Sequence, residues 1–441
     1  MDCKESMMEF LREIAVPRKV GSQGEKQVQD IISGHFERIV RENRGASVDS
    51  PDIPPEAENR QENDPPSKTK PGKKEKKELF WERQDFDYSV DTDRVVFGSF
   101  ILVLMALLFT NFLLIIYFDS PQVRWGLPFT AMAIMVFLTW GIGWNKYVER
   151  IIRRKTDKMH STANLLLRTD PGARRNLIFT AHYDSKSGPM GLLERTILGS
   201  MAYGASWLVA VYSLFISLYV TFAPQMSSQS ELLVTRLNFI VQLVAFWVML
   251  ILALMFFLKN RNESPGALDN ASGVAVLMEL AQHFAKDPLQ RVNLWFVATA
   301  AEEDGMVGMV NFMDHNREAL PHKKSFFVNL DGVGGDGILE IVDEYGIPPA
   351  QTASALSDWL RDAGDREEVP YSFRWAPPAV GFDSVVPHYR GYQAVNISHT
   401  GFDKKLWATH TKGDQVDNIN EESLAKTYRI CRRLAQVVDG L

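Results

Sequence analysis

Four apolar, nearly uncharged runs divide this chain, and no other feature restricts its fold as strongly. Val95–Phe118, Trp125–Trp144, Ile197–Ala223 and Leu237–Leu258 are rich in Leu, Phe, Val and Trp. At about 1.5 Å of rise per residue, ~20 residues of helix cross a ~30 Å hydrocarbon layer. The runs form two pairs joined by short, nearly neutral loops, so each pair predicts a transmembrane hairpin. A buried helical hairpin in a large soluble core is the competing reading; two long pairs with aromatic ends fit it poorly.

Basic residues lie on one side of these runs. KYVERIIRRK follows the second, and Lys259 and Arg261 follow the fourth, whereas the loops Asp119–Arg124 and Pro224–Arg236 are nearly neutral. The positive-inside bias then places the large parts in the cytoplasm, as portions of an integral membrane protein with four spans. The start, MDCKESMMEFLREIAVPRK, is amphipathic and lacks the apolar core of a cleavable signal. The chain therefore divides into a helical N-terminal part (1–41), a disordered and basic linker (42–94), a first hairpin (95–144), a first soluble part (145–196), a second hairpin (197–258) and a second soluble part (259–441). PDIPPEAENRQENDPPSKTKPGKKEKK in the linker has too few apolar residues to offset the entropy of ordering. Its lysines suit a solvated tether; contact with anionic lipid, at about 1 kcal/mol per lysine, is the other reading.

The net charge of −6 arises from nearly balanced acids and bases, which provides no basic face for nucleic acid. Only Cys3 and Cys431 are present, so neither a disulfide framework nor a thiolate zinc site can be built, and any metal must be held by His and carboxylates. Short buried-strand patterns at Asn164–Arg168, Asn176–His182, Val292–Thr299, Ser325–Asp331 and Gln393–Ser398 alternate with helical periodicity at Ser272–Lys286, Gly305–Met313, Gln351–Ala363 and Glu421–Val438. That interleaving predicts an α/β sandwich.

Candidate chemistry sits at the ends of these elements. His182 and Asp184 close the run NLIFTAHYD, a possible ligand and its orienting carboxylate; a surface or capped pair is the ordinary alternative. Asp269 stands in a Gly-bearing turn before a strongly periodic helix, where an N-terminal cap is the competing role. Glu302 and Glu303 follow the strand VNLWFVATA; adjacent carboxylates can divide the work of base and ligand, or form an acidic loop tip. Asp331 ends SFFVNLD, and His410 lies in an irregular loop before the last helix, where a solvent-facing His is usual. The stretch GVGGDG lacks the glycine spacing of a dinucleotide fingerprint. Five such sites together, with hard oxygen and imidazole donors, suit zinc.

In order, AHYDS, GALDNASGVA, AEEDG, NLDGVG and HTKGDQVDNI resemble the co-catalytic zinc aminopeptidases of peptidase family M28, and FLREIAVPRKVGSQGEKQVQDII resembles their N-terminal helix region. The resemblance implies a mixed β-sheet sandwiched by helices, here with four transmembrane helices added. It implies two zinc ions, with His182 and Asp331 on one, Glu303 and His410 on the other, and Asp269 bridging. Glu302 would be the general base and Asp184 would orient His182. VGFDSVVPHYRGYQAVNIS resembles the substrate-pocket loop, which makes Asp383 a pocket candidate or a loop-ordering carboxylate. The implied activity is removal of N-terminal residues from peptides, with peptide and lipid bilayer as partners. Amide cyclization, acyl-amide hydrolysis and a non-catalytic membrane receptor or scaffold are the alternatives. Two departures stand out: Thr409 occupies the position where many relatives carry a Tyr before the last His, and an apolar hairpin separates His182 from Asp269, bringing the insertion out beside the site.

Overall fold

The soluble elements interleave as their apolar periodicity requires. The computed structural model describes residues 3–45, 78–117, 120–169, 172–222, 228–257, 261–376, 381–399 and 404–441. The first half holds α1 (Cys3–Ile14), α2 (Gln23–Arg44), β1 (Leu79–Ser89), α3 (Thr92–Ile116), α4 (Pro121–Thr139), α5 (Gly141–Ile152), β2 (Met159–Thr169), β3 (Arg175–His182), α6 (Leu192–Phe222) and α7 (Ser228–Phe256). The second holds α8 (Ser272–Lys286), β4 (Val292–Thr299), α9 (Val307–His315), β5 (Ser325–Leu330), β6 (Leu339–Tyr345), β7 (Ala350–Gln351), α10 (Ser354–Arg366), β8 (Tyr371–Ala376), α11 (Val385–Tyr389), β9 (Gln393–Ser398), α12 (Lys404–Ala408) and α13 (Glu421–Gly440).

Among the described residues the strands form one mixed sheet, ordered β1-β2-β4-β3-β5-β9-β6-β7 with β8 on β6. β3 lies between β4 and β5 and runs parallel to both, and β9 continues the parallel centre. These strands read as nearly continuous apolar runs because helices cover both faces. Trp295 and Phe296 are consecutive in β4 and therefore point to opposite faces. Trp295 meets Phe312 of α9 edge-on, while Phe296 stacks near Phe284 of α8, so α8 and α9 cover opposite faces of the sheet. Parallel pairing in register, His182 beside Thr299 and Thr180 beside Asn329, brings the C-terminal ends of β3, β4 and β5 to one edge.

Two expectations change. Residues 79–89, expected inside the 42–94 linker, form β1, which pairs with β2 along its whole length from Leu79↔Thr169 to Ser89↔Met159. Glu82, Arg83, Asp85 and Asp87 give this edge strand a polar composition that hides its pattern in the sequence, and its ladder supplies the ordering. The helix α2 likewise runs on through residue 44. The Pro- and Lys-rich stretch 46–77 lies outside the described residues.

The second difference concerns the apolar runs. Among the described residues, three helices are long and apolar enough to cross a membrane: Arg94–Leu114, Leu192–Phe222 and Leu232–Phe256. The run expected at Trp125–Trp144 is not one helix: α4 carries Pro128, stops at Thr139, and the chain turns at Trp140 into the separate α5. The four helices pack around Leu104, Leu108, Met135, Val209, Ala245 and Leu252, a core distinct from that of the sheet. α7 turns Phe239, Phe246, Trp247 and Leu254 outward, an apolar face that water would penalise.

Candidate metal centre

The edge where β3, β4 and β5 end gathers the predicted residues. His182 is the last residue of β3, Glu302 and Glu303 follow β4, and Asp331 follows β5. Asp269 comes from the turn before α8 and His410 from the loop after α12, in left-handed backbone at φ 62°. His182, Asp269 and Asp331 form one group whose possible ligand atoms lie within 4.8 Å of one another, and Asp269, Glu303 and His410 form a second. Asp269 belongs to both. Its Oδ1 is 3.1 Å from His182 Nε2 and its Oδ2 is 2.9 Å from His410 Nε2. Glu303 Oε1 is 2.8 Å from His410 Nε2, and Asp331 Oδ1 is 3.8 Å from His182 Nε2.

The donor set fits two small cations. Zinc bonds of ~2.0–2.1 Å in a tetrahedron leave ligand atoms roughly 3.3 Å apart, close to the separations here. Each His Nε2 faces two carboxylate oxygens, although one ring nitrogen can give a proton to only one acceptor. Glu303 Oε1 is buried and faces only His410 Nε2, itself a candidate ligand, as an atom shared by a cation centre would. Charge points the same way. Burial alone would lower the His410 pKa, but Glu303 and Asp269 carry it up to about 9. Burial likewise opposes His182, and Asp184, Asp269 and Asp331 still hold it well above the usual imidazole range. These carboxylates draw positive charge into a site nearly closed to water.

Comparison with known proteins places this geometry. Residues 255–435 match the sequence profile of Peptidase family M28. This stretch, somewhat under half of the chain, is similar to M28 peptidase domains. It contains Asp269, Glu302, Glu303, Asp331, Asp383 and His410, and β3, ahead of it in the chain, contributes His182 and Asp184. Aminopeptidase YwaD of Bacillus subtilis (strain 168) is 27% identical over 182 residues, 36% of this chain and 35% of that protein. A probable zinc metalloprotease of Pyrenophora teres f. teres (strain 0-1) is 33% identical over 115 residues, 24% of this chain and 24% of that protein. In fold, LapB from Legionella pneumophila superposes with a TM-score of 0.51 at 11% identity, covering 99% of this chain and 72% of that one. A Fimbriiglobus ruber glutaminyl cyclase gives 0.50 at 14% identity, covering 98% and 95%.

Around the two candidate ligand groups stands a supporting shell. Asp184 accepts backbone N–H bonds from Glu302 (3.1 Å) and Glu303 (3.2 Å), tying the β3 end to the β4 end. His182 Nδ1 faces the Asp184 carbonyl at 3.2 Å and its carboxylate at 3.5 Å. Asp383 is fully buried: Thr299 donates its hydroxyl to Oδ2, and Oδ1 has no partner. Burial, with Asp184 and Asp331 adding and the Thr299 hydroxyl and His182 opposing, pushes Asp383 up to about 7. Glu302 is raised well above the carboxylate range by burial first and then by Glu303, Asp383 and Asp331, against the pull of His182. Thr409 gives its hydroxyl to the Lys405 carbonyl of α12, so it turns away from a role beside His410.

Several supporting residues carry no sequence signal of their own. Asn270 donates to the Leu330 carbonyl and accepts from Gly273 and Gly332, locking the Asp269 turn to the Asp331 turn. Asp414 accepts from the Leu268 and Asp269 amides at 2.7 and 3.2 Å. Lys186 donates to the Glu303 carbonyl at 2.7 Å, and its ammonium lies 4.8 Å from the ring centroid of Phe97, in the second turn of α3. For Asn270 and Asp414, fixed spacing beside the candidate ligands, as in LDN and HTKGD, is the cue the sequence offers.

Proposed function

We propose that this chain is a membrane-embedded di-zinc aminopeptidase that removes single residues from peptide N-termini. The observation that carries this reading is Asp269, whose two oxygens each face a different His while Glu303 and Asp331 complete two separate ligand groups. His182 and Asp331 would hold one ion, Glu303 and His410 the other, with Asp269 between them. When bound, the two ions supply Lewis acidity, polarising the scissile carbonyl and acidifying water.

Glu302 belongs to neither ligand group, and its carboxyl accepts the proton of the attacking water and returns it to the leaving amine. The neighbouring acids that raise its affinity for a proton suit that shuttle. Asp184 holds the Glu302 and Glu303 amides and faces His182 Nδ1, fixing base and ligand relative to each other. Asp383, with a free buried oxygen beside Glu302, serves as an acceptor for the substrate's N-terminal amine.

The membrane reading assigns four spans, adding α4 to the three long apolar helices because it shares their core. The exposed basic residues Lys146, Arg150, Arg154 and Lys155 near the end of α5 support a cytoplasmic catalytic side through the positive-inside bias. The hairpin feet lie on the ligand loops: Gly188 N–H donates to the His410 carbonyl, Leu192 N–H to that of Thr409, and Arg261 N–H to that of Ser187, all at 3.0 Å. The site therefore opens close to the bilayer and favours substrates that reach its surface. A panel of unblocked and N-acetylated peptides incubated with purified protein and zinc tests the activity. Release of free amino acid from the unblocked peptides alone supports it; turnover only of acylated or cyclizable substrates would replace aminopeptidase with one of the related amide chemistries.

A further inference from the structure

We infer that Arg18 is a positioning residue for the cation centre, clamping together the two chain segments that enter and leave the α6–α7 hairpin so that His182 stays in register with Asp269. The inference rests on the two-cation reading of the site.

Arg18 is completely buried, yet its guanidinium lies on carbonyls. Nε donates to Tyr183 O, Nη1 to Pro265 O and, at 3.2 Å, to Val16 O, and Nη2 to Gly266 O at 2.8 Å. Its backbone N–H donates to Ser185 Oγ at 3.1 Å, and that hydroxyl in turn reaches the Ser264 carbonyl at 3.1 Å. Tyr183 sits between His182 and Asp184, just before the hairpin; Pro265 and Gly266 sit just after it, next to the Asp269 turn. The two ligand loops are joined covalently only through α6 and α7. A connection of that length imposes little local restraint, so their spacing is held by cross-braces: Ser185 to Ser264 and Arg261 to Ser187 link the two segments directly, and Arg18 joins them at the residues next to His182 and Asp269.

The fork geometry decides why this residue is Arg. Five N–H donors in a rigid plane hold four carbonyl groups at once here, which an ammonium with three donors on a flexible stem cannot. Its charge is balanced at longer range: burial lowers the guanidinium to about 10, while Asp414, Asp184, Asp269 and Glu303 work in the other direction. It thus stays cationic at neutral pH beneath the acidic cluster. Packing around the clamp is tight. At Gly266, in left-handed backbone at φ +60°, an added Cβ would lie 2.5 Å from the Asp269 carbonyl, 2.8 Å from Ser185 Cβ and 3.0 Å from Arg18 Nη1.

The test uses the full chain in detergent micelles, stripped of metal and titrated with Zn²⁺ against a competing chelating dye, for wild type, R18K, R18M and S185A. Thermal unfolding of the metal-free proteins is followed in parallel. Zinc affinity is expected to fall about 10–100-fold in R18K and R18M, the usual effect of removing a group that orients ligands, with a smaller fall in S185A. Wild-type zinc affinity in R18K and S185A would overturn the inference, even with a lowered melting temperature, because Arg18 would then be a brace for the fold alone. If R18M does not fold, R18K and S185A decide the matter, since they keep the charge or the whole guanidinium. Failure of the wild type itself to take up zinc would instead overturn the two-cation reading, and the inference with it.

Discussion

Replacing Glu302 by Gln separates proton transfer from metal binding. The amide has nearly the shape of the carboxyl, and the contact that anchors the residue, its backbone N–H on Asp184 Oδ1 at 3.1 Å, does not involve the side chain. Glu302 contributes to neither ligand group, so both ions should remain. What the variant lacks is a group that can take a proton and give it back. General acid–base catalysis is worth about 10²–10⁴ in rate, which at 1.36 kcal/mol per factor of ten is about 2.7–5.4 kcal/mol of transition-state stabilisation. Free amino acid released from an unblocked peptide gives kcat and KM, and elemental analysis gives zinc per chain. The expected result is a kcat reduced by about 10²–10⁴ with KM changed little and zinc retained. Turnover near the wild-type rate would refute the assignment of the base. Loss of zinc in E302Q would show instead that Glu302 is a ligand.

Three further outcomes follow from the geometry. Asp269→Ala removes an oxygen from both ligand groups at once, so zinc should fall below one ion per chain by elemental analysis; a full complement would contradict the bridge. Glu25 is buried and raised from 4.5 to about 7, by burial against hydrogen bonds from Thr162 and the Gly21 amide. A carboxyl raised in the folded state stabilises most below its unfolded pKa and loses that contribution as pH rises toward 7, so wild type should lose about 2–3 kcal/mol between pH 4.5 and 7 that Glu25→Gln keeps. Parallel denaturation curves for the two proteins across that range would count against it. Finally, in liposomes carrying the full chain, an unblocked peptide held on a C-terminal acyl chain should be cleaved about tenfold faster or more than the same peptide in solution, through its higher effective concentration. Equal rates would argue against a bilayer-facing mouth.

Much of the sheet is legible in the sequence because β4 and β9 are short, mostly buried runs bounded by turn residues, and their ends coincide with the pattern. α8 is equally plain, from its 3.6-residue period between Ser272 and Lys286. β1 is not, since an edge strand with Glu82, Asp85 and Asp87 owes its order to β2, a partner that no local window contains. The break at Trp140 is hidden for a related reason: hydropathy is blind to backbone direction, and α4 and α5 together look like one span. At the site, the ordered motifs point to the residues of both ligand groups. Arg18, Asn270 and Asp414 lie within those motifs, but their roles stay hidden, because they act through backbone carbonyls and amides that belong to other segments. Such contacts depend on where chains cross and leave no periodicity.

The position of the α6–α7 hairpin between His182 and Asp269 also sets the order in which this protein can be made. If α6 and α7 span a bilayer as proposed, His182 leaves the ribosome first and the apolar hairpin that follows must enter the membrane before Asp269 can return to the same side. A chain whose hairpin is misinserted holds its first His and its bridging carboxylate on opposite faces of the membrane and cannot complete either ligand group. On the proposed membrane and two-cation reading, zinc occupancy would then report whether the hairpin had inserted correctly.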